Sequence, residues 1–127
     1  MIKEKFVVPI YGSTVRLFIG NAEELQNYLS ETFGEYYSID IVNELNLDKC
    51  CGKVADLEDC SHLIWLPSVP TTFQENGTLA HEIFHLAVSI LISRGIPLNE
   101  DSEETVAYLI GYLTSKILPI LGNDCEK

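Results

Sequence analysis

The stretch Thr78–Val88, TLAHEIFHLAV, decides how the rest of the chain is read, because it sets two histidines and a glutamate inside an apolar run. At about 3.6 residues per turn, His81 and His85 lie one above the other on one face of a helix, with Glu82 beside them. This is the HExxH arrangement. Two imidazoles at this spacing can present nitrogens to a single tetrahedral zinc, while the neighbouring carboxylate reaches the metal-bound water rather than the metal. The alternative, a core helix with two hydrogen-bonded histidines, would concentrate three costly polar groups where a core helix normally carries none. The apolar pattern continues to about Arg94, is closed by Gly95 and Pro97, and covers nearly every side, which predicts a long buried central helix.

Working outward, LNEDSEETVAYLIGYL predicts a last helix from about Ser102 to Leu118, with Pro119 discouraging continuation. A turn from Gly95 to Asp101 folds it back antiparallel on the central helix. Upstream, HLIWLPSV is a short apolar run rich in strand formers, stopped by Pro67 and Pro70, and predicts a strand. At the N-terminal end, FVVPIY and TVRLFIG flank the turn signal Gly12-Ser13, so Phe6 to Gly20 reads as a hairpin. Asn21 can cap the helix AEELQNYLSETF, where Leu25, Tyr28, Leu29 and Phe33 recur at helical spacing and Gly34 provides the stop. Between Tyr36 and Cys60 the pattern is weak. YSIDIV reads as a strand and KCCGKVADLEDC as a turn followed by irregular chain. The order of strands, helix, strand, helix, helix points to an α+β fold over residues 1–127 as one domain.

Composition narrows the function classes. The 127 residues are 46% hydrophobic, enough for one core, and carry a net charge of −11 with only two arginines, Arg16 and Arg94. No basic patch is available to neutralise phosphates or anionic lipids, so neither nucleic acid nor membrane is expected as a partner. The lysines of MIKEKFVVPIYG precede no long apolar stretch, and the most apolar run, around Leu86 to Ile92, is too short to span a bilayer. A cytoplasmic location with reduced thiols is the expectation for Cys50, Cys51, Cys60 and Cys125. A second zinc site from Cys50, Cys51, Cys60 and His62 is the sharper alternative. The adjacent pair Cys50-Cys51 lacks the spacer that lets two thiolates converge on one metal, which favours free thiols.

A catalytic zinc takes a third protein ligand and leaves its fourth position to water. The tight HExxHxxGxxH extension is excluded, because Val88 and Leu91 stand where it needs Gly and His, and the only methionine is Met1. Glu104 and Glu103 open the helix that folds back toward the zinc-binding face, and Glu104 is the preferred third ligand. Both also suit the positive end of a helix, where Asp101 with Glu104, or Ser102 alone, could serve as a cap. His62, in or near the upstream strand, is a further option.

The string TLAHEIFHLAVSILISRGIPLNEDSEETVAYLIGYL resembles the core of small HExxH zinc metallopeptidases encoded by bacteriophages and prophages, similar in turn to the gluzincin plan of HExxH followed some twenty residues later by a glutamate. The resemblance covers Ser61 to Leu113 and, loosely, the N-terminal hairpin. It implies a zincin-like domain with zinc held by His81, His85 and Glu104, the last followed by Ala107-Tyr108, although Glu103 also fits an ExxxA spacing with Ala107. Zinc would activate a water and polarise a carbonyl, with Glu82 as the general base. Tyr108, one turn beyond Glu104, is the candidate oxyanion stabiliser, with helix-surface packing as its alternative role. Trp65 reads as a packing residue. If the HLIWLP strand lies at a sheet edge beside the cleft, an extended peptide could pair with it. The leading expectation is therefore a zinc peptidase acting on a peptide or protein. The alternatives are a binding or assembly protein with a structural zinc site, and a zinc hydrolase of a non-peptide amide.

Overall fold

The computed structural model describes residues 1–47 and 51–122. Two strands open the chain, β1 (Ile2–Val8) and β2 (Ser13–Ile19), paired antiparallel from Ile2↔Ile19 to Val8↔Ser13. The expected hairpin is present, its turn tightened by left-handed backbone at Ile10 and Gly12. Period-two alternation sends Val15, Leu17 and Ile19 to one face of the sheet and Phe18 to the other, so β2 contributes to two separate apolar clusters.

The strand His62–Leu66 pairs parallel with β2, which obliges the chain to cross over between them. The helices α1 (Ala22–Phe33) and α2 (Glu35–Leu45) make that crossing. Asn21 starts α1 through a reciprocal capping box with Glu24. Gly34, at φ 101°, ends α1 and begins α2, a left-handed geometry that favours glycine. The segment YSIDIV therefore lies in α2 rather than in a strand. Its Ile41 and Val42 pack against the cluster around Leu25, Leu29 and Trp65, and that burial overrides their strand propensity. A further strand, β3 (Lys53–Asp56), falls where irregular chain was expected, and with β4 (His62–Leu66) it completes a mixed sheet ordered β1-β2-β4-β3. HLIWLP is thus an interior strand. The sheet edge on that side belongs to β3.

The central helix α3 runs Phe73–Ser93, beginning upstream of Thr78 because Thr72 and Glu75 form a capping box. Helix α4 (Glu103–Ile120) follows a short 3₁₀ turn, Glu100–Ser102, and carries Pro119 in its last turn rather than stopping before it. Leu79, Ile83, Leu86 and Ile90 of α3 and Val106, Leu109, Leu113 and Ile117 of α4 cover one face of the sheet, against Val15, Leu17, Ile64 and Leu66. Helices α1 and α2 cover the other face over Phe18, Leu63 and Trp65. The result is α+β: two helix pairs with a four-stranded sheet between them. Trp65 is a packing residue, 2% exposed, with its indole N–H donating to Gly20 O at 2.8 Å. No described helix is long and apolar enough to cross a membrane.

Arg16 fastens β2 to both the β3–β4 turn and α1. Its guanidinium donates to Ser61 Oγ at 3.0 Å, Tyr28 Oη at 3.0 Å and Asp59 Oδ2 at 2.9 Å. Burial alone would push the Asp59 carboxyl up, but hydrogen bonds from Ser61 and Arg16, with the charge of Arg16, outweigh it and hold Asp59 below its ordinary value of 3.8. A carboxylate with a lowered folded pKa stabilises the fold above its unfolded value, and that contribution is lost as pH falls through the folded one. Arg16→Ala should therefore cost about 1–3 kcal/mol in urea unfolding at neutral pH, since buried Ser61 and half-buried Tyr28 lose their donor. The destabilisation caused by Asp59→Asn should shrink once the pH is taken below 3.8; a cost unchanged in acid would show that the charge of Asp59 is not what stabilises the turn.

Candidate metal centre

The buried face of α3 is formed by Leu79, Ile83, Leu86, Ala87 and Ile90, so helical geometry turns His81 and His85 toward solvent and leaves Glu82 on the margin between core and surface. The two imidazoles meet: His81 Nε2 and His85 Nε2 are 3.0 Å apart, with ring planes at 74°. Two nitrogens bonded at about 2.0–2.1 Å to one tetrahedral zinc stand roughly 3.3 Å apart, so this pair fits two corners of such a site with a small opening of the rings. Phe84 lies edge-on to the His85 ring, at 5.7 Å between centroids.

Glu82 has a different environment. It is 8% exposed, and its carboxylate receives no hydrogen bond from any described residue. Its carboxylate oxygens are not sealed from solvent, since the side chain lines an open cleft. Its side chain is pressed between α3 and the start of β3. A Cβ added to Gly52 would lie 3.1 Å from Glu82 Cγ, 3.3 Å from Thr78 Cγ2 and 2.9 Å from Leu66 Cδ2. A side chain there would oblige Leu66 and Glu82 to shift.

His81, Glu82 and His85 share a cleft of about 390 Å³ whose opposite wall is Gly52, Lys53 and Val54 of the β3 edge, with Ser89 one turn further along α3. A neighbouring hollow reuses Gly52, His81 and Glu82 and adds Cys51. The motif residues predicted from sequence are therefore brought together. The β3 wall was missed. Its strand is four residues long, too short for its alternation to stand out, and no spacing rule links it to HExxH.

The other candidate residues lie elsewhere. Glu103 and Glu104 are exposed in the first turn of α4, and neither lines the cleft. Glu104 projects from the side of α4 roughly opposite its buried stripe of Val106, Leu109, Leu113 and Ile117. Tyr108 is 74% exposed and lines a separate groove between α4 and the β1–β2 turn, with Pro9, Ile10 and Tyr11. Ser102 makes no side-chain cap on α4, because its hydroxyl donates to Pro97 O and Asn99 caps the preceding turn. His62 is buried on β4, its Nδ1 2.7 Å from Asp56 Oδ1 across the strand pair. Cys51 and Cys60 are free thiols at opposite ends of β3, separated by a strand of roughly 13 Å, which sets them too far apart to share a zinc. Cys50, the remaining thiol of that alternative, and Cys125 lie outside the described residues. Among the described residues no three His, Cys, Asp or Glu side chains already converge as a metal site.

Comparison of the chain with models of protein families, with curated proteins and with solved structures finds no match.

Two glycines bordering the cleft should respond oppositely to alanine. Gly52→Ala forces Glu82 and Leu66 apart and should destabilise by about 1–3 kcal/mol. Gly77→Ala, inside α3 with nothing within 4 Å of the added methyl, should stabilise by about 0.5–1 kcal/mol. Urea titrations of both variants check the pair, and a neutral Gly52→Ala would mean that Glu82 is not held as described.

Proposed function

We propose that the chain is a zinc-dependent metallopeptidase, in keeping with the small phage and prophage HExxH proteins that its sequence resembles. The observation that carries the reading is the grouping of a paired imidazole site, a glutamate at the margin of the core that makes no hydrogen bond to a described residue, and an open strand edge around one cleft. His81 and His85 would hold the metal through Nε2. Zinc bound there supplies a Lewis acid that polarises a carbonyl oxygen and makes water nucleophilic near neutral pH.

Glu82 has no competing hydrogen bond to break, so its carboxylate is free to take the proton of the attacking water and deliver it to the leaving amine. The adjoining wall is the outer edge of β3, which pairs with β4 on one side only. Its unpaired backbone groups can hold an extended peptide by strand addition, a role the sequence assigned to HLIWLP. That feature favours a peptide over a small amide as substrate. Free thiols at Cys51 and Cys60 suit a reducing compartment such as a cytoplasm.

A second reading, a zinc-stabilised binding or assembly protein, is favoured by the lack of a preformed third ligand among the described residues. The test separates the two. Purified protein should carry about one zinc per chain, and His85→Ala should lose it. Glu82→Gln should keep the metal, yet hydrolysis of the peptides cleaved by the wild type, found by mass spectrometry of a diverse library, should fall by about 100-fold to 10,000-fold. Zinc without any cleavage would favour the scaffold reading. Wild-type hydrolysis by Glu82→Gln would remove Glu82 as the base.

A further inference from the structure

We infer that the outer face of the α3–α4 pair is an interface with a second copy of this chain, in which α3 packs antiparallel on its own counterpart about a two-fold axis. On the side of α3 turned away from the sheet, Phe73, Gly77, Ala80 and Phe84 recur at helical spacing and form one stripe. Both rings open to water: Phe73 is 99% exposed and Phe84 38%. On α4 the groove with the β1–β2 turn takes Thr105, Tyr108 and Tyr112, which leaves exposed Ala107 and Gly111 on the flank nearer α3. A methyl added at Gly77 or Gly111 would meet nothing within 4 Å. A contiguous apolar face of this kind marks an association surface.

The occupant follows from symmetry and charge. A two-fold interface needs a patch that is its own complement, and this stripe runs large, small, small, large in either direction. Turned antiparallel about the point between Gly77 and Ala80, it sets Phe73 of each copy beside Phe84 of the other, and Gly77 beside Ala80. The small pair lets the helix axes approach to about 8 Å, and a pair of rings closes each end. The net charge of −11 drives copies apart elsewhere, yet the only formally charged side chain from Asn76 to Ser93 is Glu82, and from Thr105 to Ser115 there is none. Glu82 lies at the core margin, turned away from the stripe. A face as long as the 21 residues of α3 and about 20 Å wide offers on the order of 600 Å² per copy, which reaches the lower bound of about 1,200 Å² for a specific interface. The cleft beside β3 stays open in such a pair, and the pairing is independent of the metal proposed above.

Sedimentation equilibrium of the full chain tests the interface, run under reducing conditions because Cys51 and Cys60 are exposed thiols. The wild type should move from the chain mass of 14.2 kDa toward twice that mass as its concentration rises from micromolar to millimolar. Ala80→Glu brings two carboxylates together near the axis without touching the core, and should stay at the single-chain mass while remaining folded by circular dichroism. Tyr36→Glu, at an exposed position on the opposite helix layer, should dimerise like the wild type. Phe73→Glu and Phe84→Lys should each weaken the dimer by about tenfold or more. Combined in one chain they should restore it, because the antiparallel register sets the two new charges beside one another across the interface. A wild type that stays at the single-chain mass throughout overturns the pairing and leaves the face to a different protein. A dimer that survives Ala80→Glu overturns this face as the interface, and a double variant no tighter than either single one overturns the register.

Discussion

Strand β4 is buried at all five of its positions, and both of its faces must therefore be covered by something other than water. Leu63 and Trp65 face α1 and α2, while Ile64 and Leu66 face α3 and α4. A helix pair on one side alone would leave half of this strand exposed. The parallel pairing with β2 meets the requirement, because its crossover delivers α1 and α2 to one face and leaves the other for the C-terminal helices. Helix α3 is thereby pressed on the sheet directly beneath β4 and β3, and its outer margin faces the open strand edge. The position of the histidine pair follows from how β4 is covered.

The cleft gathers polar side chains at the margin of an apolar core. Several buried polar groups have partners: the Trp65 indole finds Gly20, the His62 ring finds Asp56, and Arg16 satisfies three acceptors, whereas Ser13 Oγ is enclosed without one. Glu82 makes no hydrogen bond to a described residue, and a side chain in place of the Gly52 hydrogen would crowd it.

The elements legible in the sequence were those whose signals are local. Asn21 with Glu24 and the Gly34 stop delimit α1, and Gly12-Ser13 marks the hairpin. The chemistry of His81, Glu82 and His85 is likewise written into one helical turn, and the chain does bring these side chains to one cleft. What escaped depended on distant partners. Helix α2 hid behind the β-branched residues Ile39, Ile41 and Val42, and packing of Ile41 and Val42 on α1 and the sheet reverses their preference. The first turn of α3 was obscured by Asn76 and Gly77, although Thr72 and Glu75 carried a capping signal that could have found it. No local pattern could report that β3 would become the wall opposite the histidines, because strand order is a property of the whole sheet.

Because β3 is paired on one side only, every second N–H along it points away from β4 into water while the intervening ones are bonded in the ladder. The four residues Lys53–Asp56 are thus divided, by backbone geometry alone, into amides that exchange readily with deuterium and amides that do not. Any chain laid along this edge would slow the first set and leave the second little changed. The strand carries its own reporter of occupancy, readable residue by residue by nuclear magnetic resonance, with no bond cleaved and no metal bound.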